Sequence, residues 1–485
     1  MVLSAVLLKE KLPPRRALGA LVIVIDIALI AFVVLRQRFG RYRSIPRIQI
    51  GRVSTLSQVM LASSKAGHLM TVSEGTFYGW RVVGAAFVLA VFGWGLGFYG
   101  PPVYLQAVRD ARGWSLSLVS IAVTVHFLVG AIVIAGLPKL YGRFGVPNVT
   151  KAGALSLGAG IIGWAIAQQP WHLFAATLLT GAGWVAMGAA AVNAIITPWF
   201  ARTRPAALAM AYNGASVGGV VFSPLWVAAI GLLGFPMAAT AIGTIMVITI
   251  WVLADLTLSK TPQQMGLMPD GDVRGVTVAS TTSPSAKPLG PQVLRDLRFM
   301  TLSAGMALGL FAQIGLLAHL FSLLVPTLGA QWAGLAMGGA TAAAIAGRTL
   351  VGWLMPVSAD RRLVACVSYF IQIVGSMAFL LAAGTNISLL LVGVFLFGAG
   401  IGNATSLPPL IAQVEFLKND VPRVVALIVA ISQGAYAFAP AAFGLVRDLS
   451  PQAGHEPAGA AAYLFINAAL IQALAIAALL LGRRR

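Results

Sequence analysis

The chain has 485 residues, of which 59% are hydrophobic and only 9% are charged. Soluble domains average about 25% charged residues, so this composition excludes an ordinary water-soluble globule. The 33 basic and 13 acidic residues give a net charge of +20, and the bases lie between long apolar runs. That pattern predicts a polytopic membrane protein with basic cytoplasmic loops and argues against a nucleic-acid partner.

The apolar runs predict twelve transmembrane helices, because a helix needs about 20 mostly apolar residues to cross the hydrocarbon core. Short polar intervals and Gly or Pro residues mark the ends of these segments. The predicted spans one to twelve are 78–100, 115–137, 149–168, 171–195, 205–231, 234–256, 298–323, 332–356, 363–383, 387–411, 422–446 and 460–482.

The longest polar interval, 257–297, divides the twelve spans into six and six, and its low-complexity run at 280–285 is typical of a flexible tether. We therefore predict an all-α membrane protein with an N-terminal six-helix bundle at 78–256, a cytoplasmic linker at 257–297 and a C-terminal six-helix bundle at 298–485. This layout favours a secondary transporter. Channels, receptors and membrane enzymes with twelve helices are the alternatives.

The predicted loops differ strongly in charge. One side of the membrane receives only Arg109, Arg112 and Arg447, whereas the other receives seventeen bases. The positive-inside rule therefore predicts a multi-pass inner-membrane protein with both ends of the twelve-span unit in the cytoplasm. The seventeen bases are Lys139, Arg143, Lys151, Arg202, Arg204, Lys260, Arg274, Lys287, Arg295, Arg298, Arg361, Arg362, Lys418, Arg423, Arg483, Arg484 and Arg485.

An N-terminal extension, residues 1–77, precedes the twelve-span unit. Its apolar segment from Ala17 to Leu35 is nearly long enough to cross a membrane, but it contains Asp26 and has bases on both sides. One interpretation is an extra N-terminal helix. The other, which we favour, is that translation starts at Met70.

Six short segments occur in order along the spans and loops: Gly113-Trp114-Ser115, Arg143-Phe144-Gly145, Trp199-Phe200, 213–224, His319-Leu320 and Gly347-Arg348. Together they resemble the major facilitator superfamily, and within it the branch of monocarboxylate porters and oxalate:formate antiporters. The resemblance covers residues 78–482. It implies two six-helix bundles that rock about a central site, and an arginine in span eight that binds organic anions.

The resemblance also implies two cytoplasmic gating loops, one with Arg143 and Gly145 and one with Asp360 and Arg361. The first loop departs from the family pattern because Gly142 replaces the acid that helps to latch the two halves. The second keeps its acid. Both loops are also explained as basic turns that obey the charge rule.

Arg348 is the only Lys or Arg well inside spans two to twelve, and the sequence places no acid nearby to neutralise it. A charged side chain at the centre of a span costs about 2.5–3.5 kcal/mol on insertion scales, so it marks a functional site. A guanidinium binds a carboxylate through two parallel hydrogen bonds. We therefore predict that Arg348 binds an anionic substrate. A structural arginine that reaches the cytoplasmic face is the alternative.

Oxalate-handling members of the branch pair this arginine with a lysine in span eleven, whereas residues 431–438 here contain none. A single cation favours a monocarboxylate. Polar and aromatic residues in the spans are further candidates for binding this substrate: Trp94, Tyr99, Tyr212, Asn213, Gln313, His319, Asn403, Gln433 and Tyr436. Each has an alternative role in bonding neighbouring helices.

His126 and His319, one in each half, are candidates for proton coupling because histidine titrates near neutral pH. A packing role is the alternative for both. No phosphate-binding loop, metal cluster or nucleophile–base pair occurs in the sequence, so we expect no enzyme activity and no cofactor. The expected partners are a small organic anion and the lipid bilayer, with a monomer as the functional unit. An exporter of amphipathic or neutral solutes and a non-transporting sensor are the rival functions.

Overall fold

The computed structural model describes residues 77–271, 293–356, 359–417, 420–449 and 457–483. Within these ranges the regular structure is helical and no strand occurs. The α-helices are α1 (Gly79–Gly97), α2 (Pro101–Arg112), α3 (Leu116–Phe144), α4 (Val146–Ile166), α5 (Pro170–Val185), α6 (Ala189–Ile196), α7 (Arg204–Leu233), α8 (Phe235–Leu253), α9 (Leu297–Leu354), α10 (Arg361–Ala382), α11 (Ile387–Glu415), α12 (Val421–Tyr436), α13 (Ala439–Asp448) and α14 (Pro457–Leu481).

Eleven helical segments of the described ranges are long and apolar enough to cross a membrane. The longest, α9, consists of two spans that meet at Gly329, where φ is 75° and the chain reverses. This left-handed backbone conformation suits glycine because a side chain would be strained there. The twelve predicted spans are therefore confirmed. Three of them are interrupted helices, formed by the pairs α1–α2, α5–α6 and α12–α13.

The spans form the two six-helix bundles that the sequence predicts. Helices α1–α8 pack mainly on one another, as do α9–α14. The bundles meet where α7 packs on α9 and where α3 packs on α13. The predicted limits of the linker stay predictions, since residues 272–292 lie outside the described ranges. The predicted N-terminal extension lies outside them too, apart from Phe77.

Hydrogen bonds join the two bundles at the end where α3 begins and α13 ends, which we call the closed end. The backbone N–H of Ser117 donates to Asp448 Oδ2 at 2.8 Å, and the Ser117 hydroxyl contacts the same oxygen. Farther along α3, Thr124 Oγ1 accepts from the N–H of Ala441 at 3.0 Å. These contacts hold the bundles together at this end. We call the opposite end, where α1 and α7 begin, the cavity end.

The two loops predicted as gates differ in how they are held. Gly145 has a φ of 77° and joins α3 to α4, while the Arg143 guanidinium lies 5.2 Å from the centroid of the Phe144 ring. In the other loop, Asp360 accepts from the N–H of Arg362 at 2.9 Å and caps α10, and Arg361 donates to the carbonyl of Leu410. The second loop therefore uses its acid, Asp360, to cap the N-terminus of α10, whereas the first loop has no acid at the corresponding position.

Arg362 fixes four spans together at the cavity end. Its side chain is only 2% exposed and forms a two-pronged ion pair with Glu415, at 2.6 Å (Nε–Oε1) and 2.8 Å (Nη2–Oε2). The remaining donors reach Thr301 Oγ1 and the carbonyls of Leu479 and Arg298 at 3.0–3.1 Å. All five guanidinium donors are thus used. In the sequence, Arg362 is only one of the basic residues of the predicted cytoplasmic loops.

We expect Glu415→Ala to lower the free energy of unfolding by about 3–5 kcal/mol, because it leaves the buried Arg362 charge without its partner. Urea and thermal unfolding of the detergent-solubilised protein measure this. The matched control is Arg483→Ala, which breaks the ion pair between Arg483 and Asp360. The side chains of Arg483 and Asp360 are 41% and 33% exposed, respectively. Exposed pairs contribute about 0–1 kcal/mol. Equal losses in the two variants would contradict the proposed role of Arg362.

The beginning of the predicted linker is docked on the loop between α6 and α7. Asp270 Oδ2 accepts from the N–H groups of Ala201 and Arg202 at 3.0 and 2.7 Å, and Oδ1 accepts from the N–H and hydroxyl of Thr203. The N–H of Asp270 donates to the carbonyl of Trp199. Partial burial by itself raises the pKa of Asp270, but the hydrogen bonds from Thr203 and the backbone outweigh it and lower the pKa below 3.8.

We expect Asp270→Asn to release this segment, because the amide presents N–H groups to donors that need an acceptor. Limited proteolysis of the 262–271 segment measures the release. Because the pKa of Asp270 is lowered in the folded protein, its carboxylate stabilises the docked segment at any pH above the pKa of an unfolded aspartate. This stability is lost only as the pH falls through the lower pKa of the folded state. Cleavage of the parent protein should therefore not vary between about pH 5 and 9. Cleavage that rises across this range in the parent would contradict the docking by the carboxylate.

Candidate functional site

A central cavity of about 590 Å³ lies between the two bundles, away from the contacts of the closed end. It is lined by six aromatic residues, several small polar ones and one charged residue. The aromatic residues are Trp94, Phe98, Tyr99, Trp184, Tyr212 and Tyr436, and the polar residues are Asn193, Ser216, Gln313, Thr341, Thr405, Ser406 and Gln433. The charged residue is Arg348.

Arg348 lies in the second span of α9, six residues before its end at Leu354. Its Nη2 donates to Ser216 Oγ of α7 at 3.2 Å, so the side chain reaches from the C-terminal bundle to the N-terminal one. None of the ion pairs that the structure describes includes Arg348. The cavity therefore presents a cation whose only described hydrogen bond goes to a neutral hydroxyl.

Close packing of α9 on α11 shapes the wall beside this arginine. A Cβ atom on Gly402 would collide with the carbonyl of Ala344 and with the Cβ of Arg348. Likewise, a Cβ atom on Gly347 would meet the carbonyl of Ala399. Because glycine lets the helices approach this closely, the Cβ of Arg348 packs beside Gly402 in the cavity wall.

Seven of the residues predicted to bind substrate line the cavity together: Arg348, Trp94, Tyr99, Tyr212, Gln313, Gln433 and Tyr436. The rings of Trp94 and Tyr212 lie edge to face at 6.4 Å. The Tyr212 hydroxyl donates to the carbonyl of Ala189 at 3.0 Å and contacts Asn193 Nδ2. The contacts of Tyr212 with Ala189 and Asn193 hold the short helix α6 against α7 on the cavity wall.

The structure places the other three predicted residues outside the lining. Asn213 is exposed on another face of α7, one residue beyond Tyr212. Asn403 is 3% exposed and lies inside the C-terminal bundle next to Tyr369. His319 is fully buried near the closed end, where its Nε2 donates to the carbonyl of Pro440 at 3.0 Å.

His126, predicted as a candidate for proton coupling, lies behind the cavity wall and is 1% exposed. Its Nε2 is 2.9 Å from the carbonyl of Gly97, which fixes this nitrogen as the protonated one, and Nδ1 is 2.9 Å from Thr180 Oγ1. The residue four positions after Gly97 is Pro101, which has no N–H to give. His126 therefore supplies the donor that the interrupted span one lacks.

The cavity is also lined by four residues that were not predicted to bind substrate: Trp184, Asn193, Ser216 and Thr341. Ser216 lies four residues after Tyr212 and so shares its helix face, a signal that the sequence contained. Trp184 lies at the end of α5, where the fourth span is interrupted. Nothing in the local sequence marked this interruption.

The sequence matches the profile of the Major Facilitator Superfamily over residues 85–440. The chain belongs to this superfamily. It is 25% identical over 371 residues to MFS-type transporter 1 of Ophiocordyceps sp. (strain BCC 1869), covering 71% of this chain and 74% of the relative. It is 24% identical over 283 residues to the uncharacterized MFS-type transporter YcxA of Bacillus subtilis (strain 168), covering 57% of this chain and 65% of the relative.

Solved structures of two other transporters share this fold. A bacterial homologue of the human lysosomal transporter Spinster, in an inward-facing and occupied conformation, superposes with a TM-score of 0.59 and 13% identity. It covers 84% of this chain and 96% of its own. The nucleoside transporter NupG superposes with a TM-score of 0.61 and 11% identity over 84% of this chain and all of its own. This major facilitator protein is thus a multi-pass membrane transporter.

We expect His126→Phe to lower the free energy of unfolding of this transporter by about 1–3 kcal/mol, because the Gly97 carbonyl stays buried without a donor. Thermal unfolding in detergent measures the loss. His172→Phe is the matched control, since His172 lies at a helix start and is only half-buried. His126→Gln, whose amide can donate to the carbonyl, should recover most of the stability. No difference between the His126 and His172 variants would contradict this role.

Proposed function

We propose that this major facilitator protein is a secondary transporter of organic anions with one carboxylate, and that Arg348 binds the carboxylate. The observation that carries the proposal is a guanidinium inside a largely apolar cavity with no carboxylate partner among the described residues. Such a cation is costly to keep in an apolar environment unless an anion joins it. A carboxylate accepts two parallel hydrogen bonds from a guanidinium, which a neutral solute does not.

Ser216 supports the same assignment. Its hydroxyl accepts from Arg348 across the cavity, so the guanidinium is already directed toward the N-terminal bundle. A bound carboxylate would take the place of this weak contact and join Arg348 to donors on both bundles. Substrate binding would then favour the closing of the bundles around the cargo, which is the step that alternating access requires.

The sidedness of the cycle follows from the charges of the loops. The cavity end carries the basic loops with Arg143, Arg204 and Arg361, so the positive-inside rule assigns it to the cytoplasm. On this assignment the structure is an inward-facing state of a transporter in the inner membrane, with both ends of the twelve-span unit cytoplasmic. The hydrogen bonds of Ser117 and Thr124 then form the closed outer gate.

Coupling through the charge of the cargo itself agrees best with the lining. No acidic residue and no histidine lines the cavity in the part of the chain that the structure describes. His126 and His319 are both buried behind other residues. Exchange of one anion for another needs no titratable group in the wall, because each half of the cycle then carries an anion on Arg348.

A second candidate function is export of amphipathic or neutral solutes. The size and aromatic lining of the cavity favour it, since pockets of roughly 300–1,000 Å³ accept drug-sized ligands. In that case Arg348 would be a structural residue that bridges to Ser216. The two functions differ in whether transport depends on the charge of residue 348.

The test is anion uptake by proteoliposomes with Arg348→Ala and Arg348→Lys beside the parent. Removing the receptor of a buried carboxylate costs about 2–5 kcal/mol, so we expect Arg348→Ala to lose at least about 30-fold in apparent affinity. Arg348→Lys should retain a part of the affinity, because it keeps the charge but not the planar pair of donors.

Arg423→Ala is the matched control, because Arg423 is an exposed arginine of the same bundle and end. It should transport anions as the parent does. Parental uptake of anions by Arg348→Ala would rule out the proposed receptor. Arg348-independent uptake of neutral solutes would favour the second function instead.

A further inference from the structure

We infer that the cargo is an elongated amphipathic anion: a carboxylate at Arg348, an aromatic or cyclic apolar body along the cavity, and a hydrogen-bond acceptor at the far end, received by Trp184 and Gln313. This inference rests on the proposed function and extends it, because it assigns a second polar subsite and a size to the cargo. It replaces the small monocarboxylate that the sequence favours.

The volume of the cavity is the first reason. At about 590 Å³ it lies within the range of about 300–1,000 Å³ that is typical of pockets for drug-sized ligands. A carboxylate with two or three carbons fills only a small part of such a space and leaves the aromatic wall facing water. A body with one or two rings fills it and covers the apolar surface, which is what makes binding favourable.

The position of the charge is the second reason. Arg348 lies six residues from the cavity end of α9 at Leu354, and Gln313 lies sixteen residues from the other terminus of the same bent helix at Leu297. At 1.5 Å per residue, their Cα atoms are about 9 and 24 Å deep in the bundle. The cation is therefore at one end of the cavity, and the cargo extends from it toward the closed end.

Aromatic rings line the space between these two depths. The Trp184 indole is stacked between His126, at 5.5 Å and 30°, and Phe98, at 6.4 Å and 30°. Phe127 lies behind it and joins Trp184, at 5.6 Å, to Tyr436 of the other bundle, at 6.0 Å. These rings are held by their neighbours, so they form a fixed apolar wall against which the body of the cargo can pack.

Two buried donors in this region have no hydrogen-bond partner among the described residues. They are the indole Nε1 of Trp184, which is 6% exposed, and the amide Nε2 of Gln313, which is 1% exposed. Buried donors are almost always paired in folded proteins, so an unpaired donor on a cavity residue indicates a missing acceptor. Trp184 and Gln313 belong to opposite bundles. An acceptor on the cargo would satisfy both donors as the bundles close.

Three probe anions test the inference with the parent transporter in proteoliposomes: lactate, 4-phenylbutanoate and 4-(4-acetylphenyl)butanoate. They differ in the apolar body and in the distal acceptor. We expect the apparent affinity to rise at least tenfold from lactate to phenylbutanoate, and a further three- to tenfold with the acetyl group. If lactate had the same apparent affinity as the aryl anions, the inferred size of the cargo would be wrong, while the proposed function would survive.

Two variants test the second subsite. Trp184→Phe keeps a ring but removes the N–H, and Gln313→Leu keeps the approximate shape but removes the amide. Each should abolish most of the advantage of the acetyl group, so that the apparent affinities of the variant for the two aryl anions become nearly equal. Since Trp184→Phe could fold poorly, Gln313→Leu and the comparison of probes in the parent stand independently. An unchanged acetyl advantage in Gln313→Leu and in a folded Trp184→Phe would overturn the assignment of the subsite.

Arg348→Ala separates this inference from the proposed function. If the aryl anions are carried equally well by Arg348→Ala, or if no anion is carried by the parent, the proposed function fails and the inference fails with it. If only lactate-sized anions are carried, and they need Arg348, the inference alone fails.

Discussion

The function proposed for this transporter depends on one guanidinium that has no carboxylate partner in the described part of the chain. Arg348 lies where two bundles face each other, and its only described hydrogen bond crosses to Ser216. Arg362 of the same bundle, by contrast, uses all five donors on Glu415 and neighbouring oxygens. This contrast is the basis for proposing a structural role for Arg362 and a binding role for Arg348.

Much of the architecture could be predicted from the sequence because lipid imposes a simple rule on length and polarity. The twelve spans and the division into six and six follow from apolar runs and from the long polar interval, and the structure confirms them. At Gly329, where φ is 75°, two helices meet with almost no residues between them. A glycine, and not a polar loop, therefore marks the boundary between these two spans.

The site was harder to predict than the fold, since the sequence does not show which face of an apolar helix points to the cavity. Tyr212 and Asn213 are neighbours in sequence, yet only Tyr212 lines the cavity, because successive residues point about 100° apart on a helix. Arg348 could be found because its charge is exceptional in a span. Ser216 could have been found only through its i+4 spacing from Tyr212, and Asn193 carried no comparable signal, since small polar residues occur on every face of these helices.

The interruption of span one has a mechanical consequence. The carbonyls of Gly95, Leu96 and Gly97 are held by Trp226, Tyr104 and His126, which lie on α7, α2 and α3. Because these three carbonyls accept hydrogen bonds from side chains on three helices, span one cannot slide or rotate independently of its neighbours. The first six spans should therefore move as one rigid body. The Trp184 indole would move with them and stay in contact with a molecule bound in the cavity.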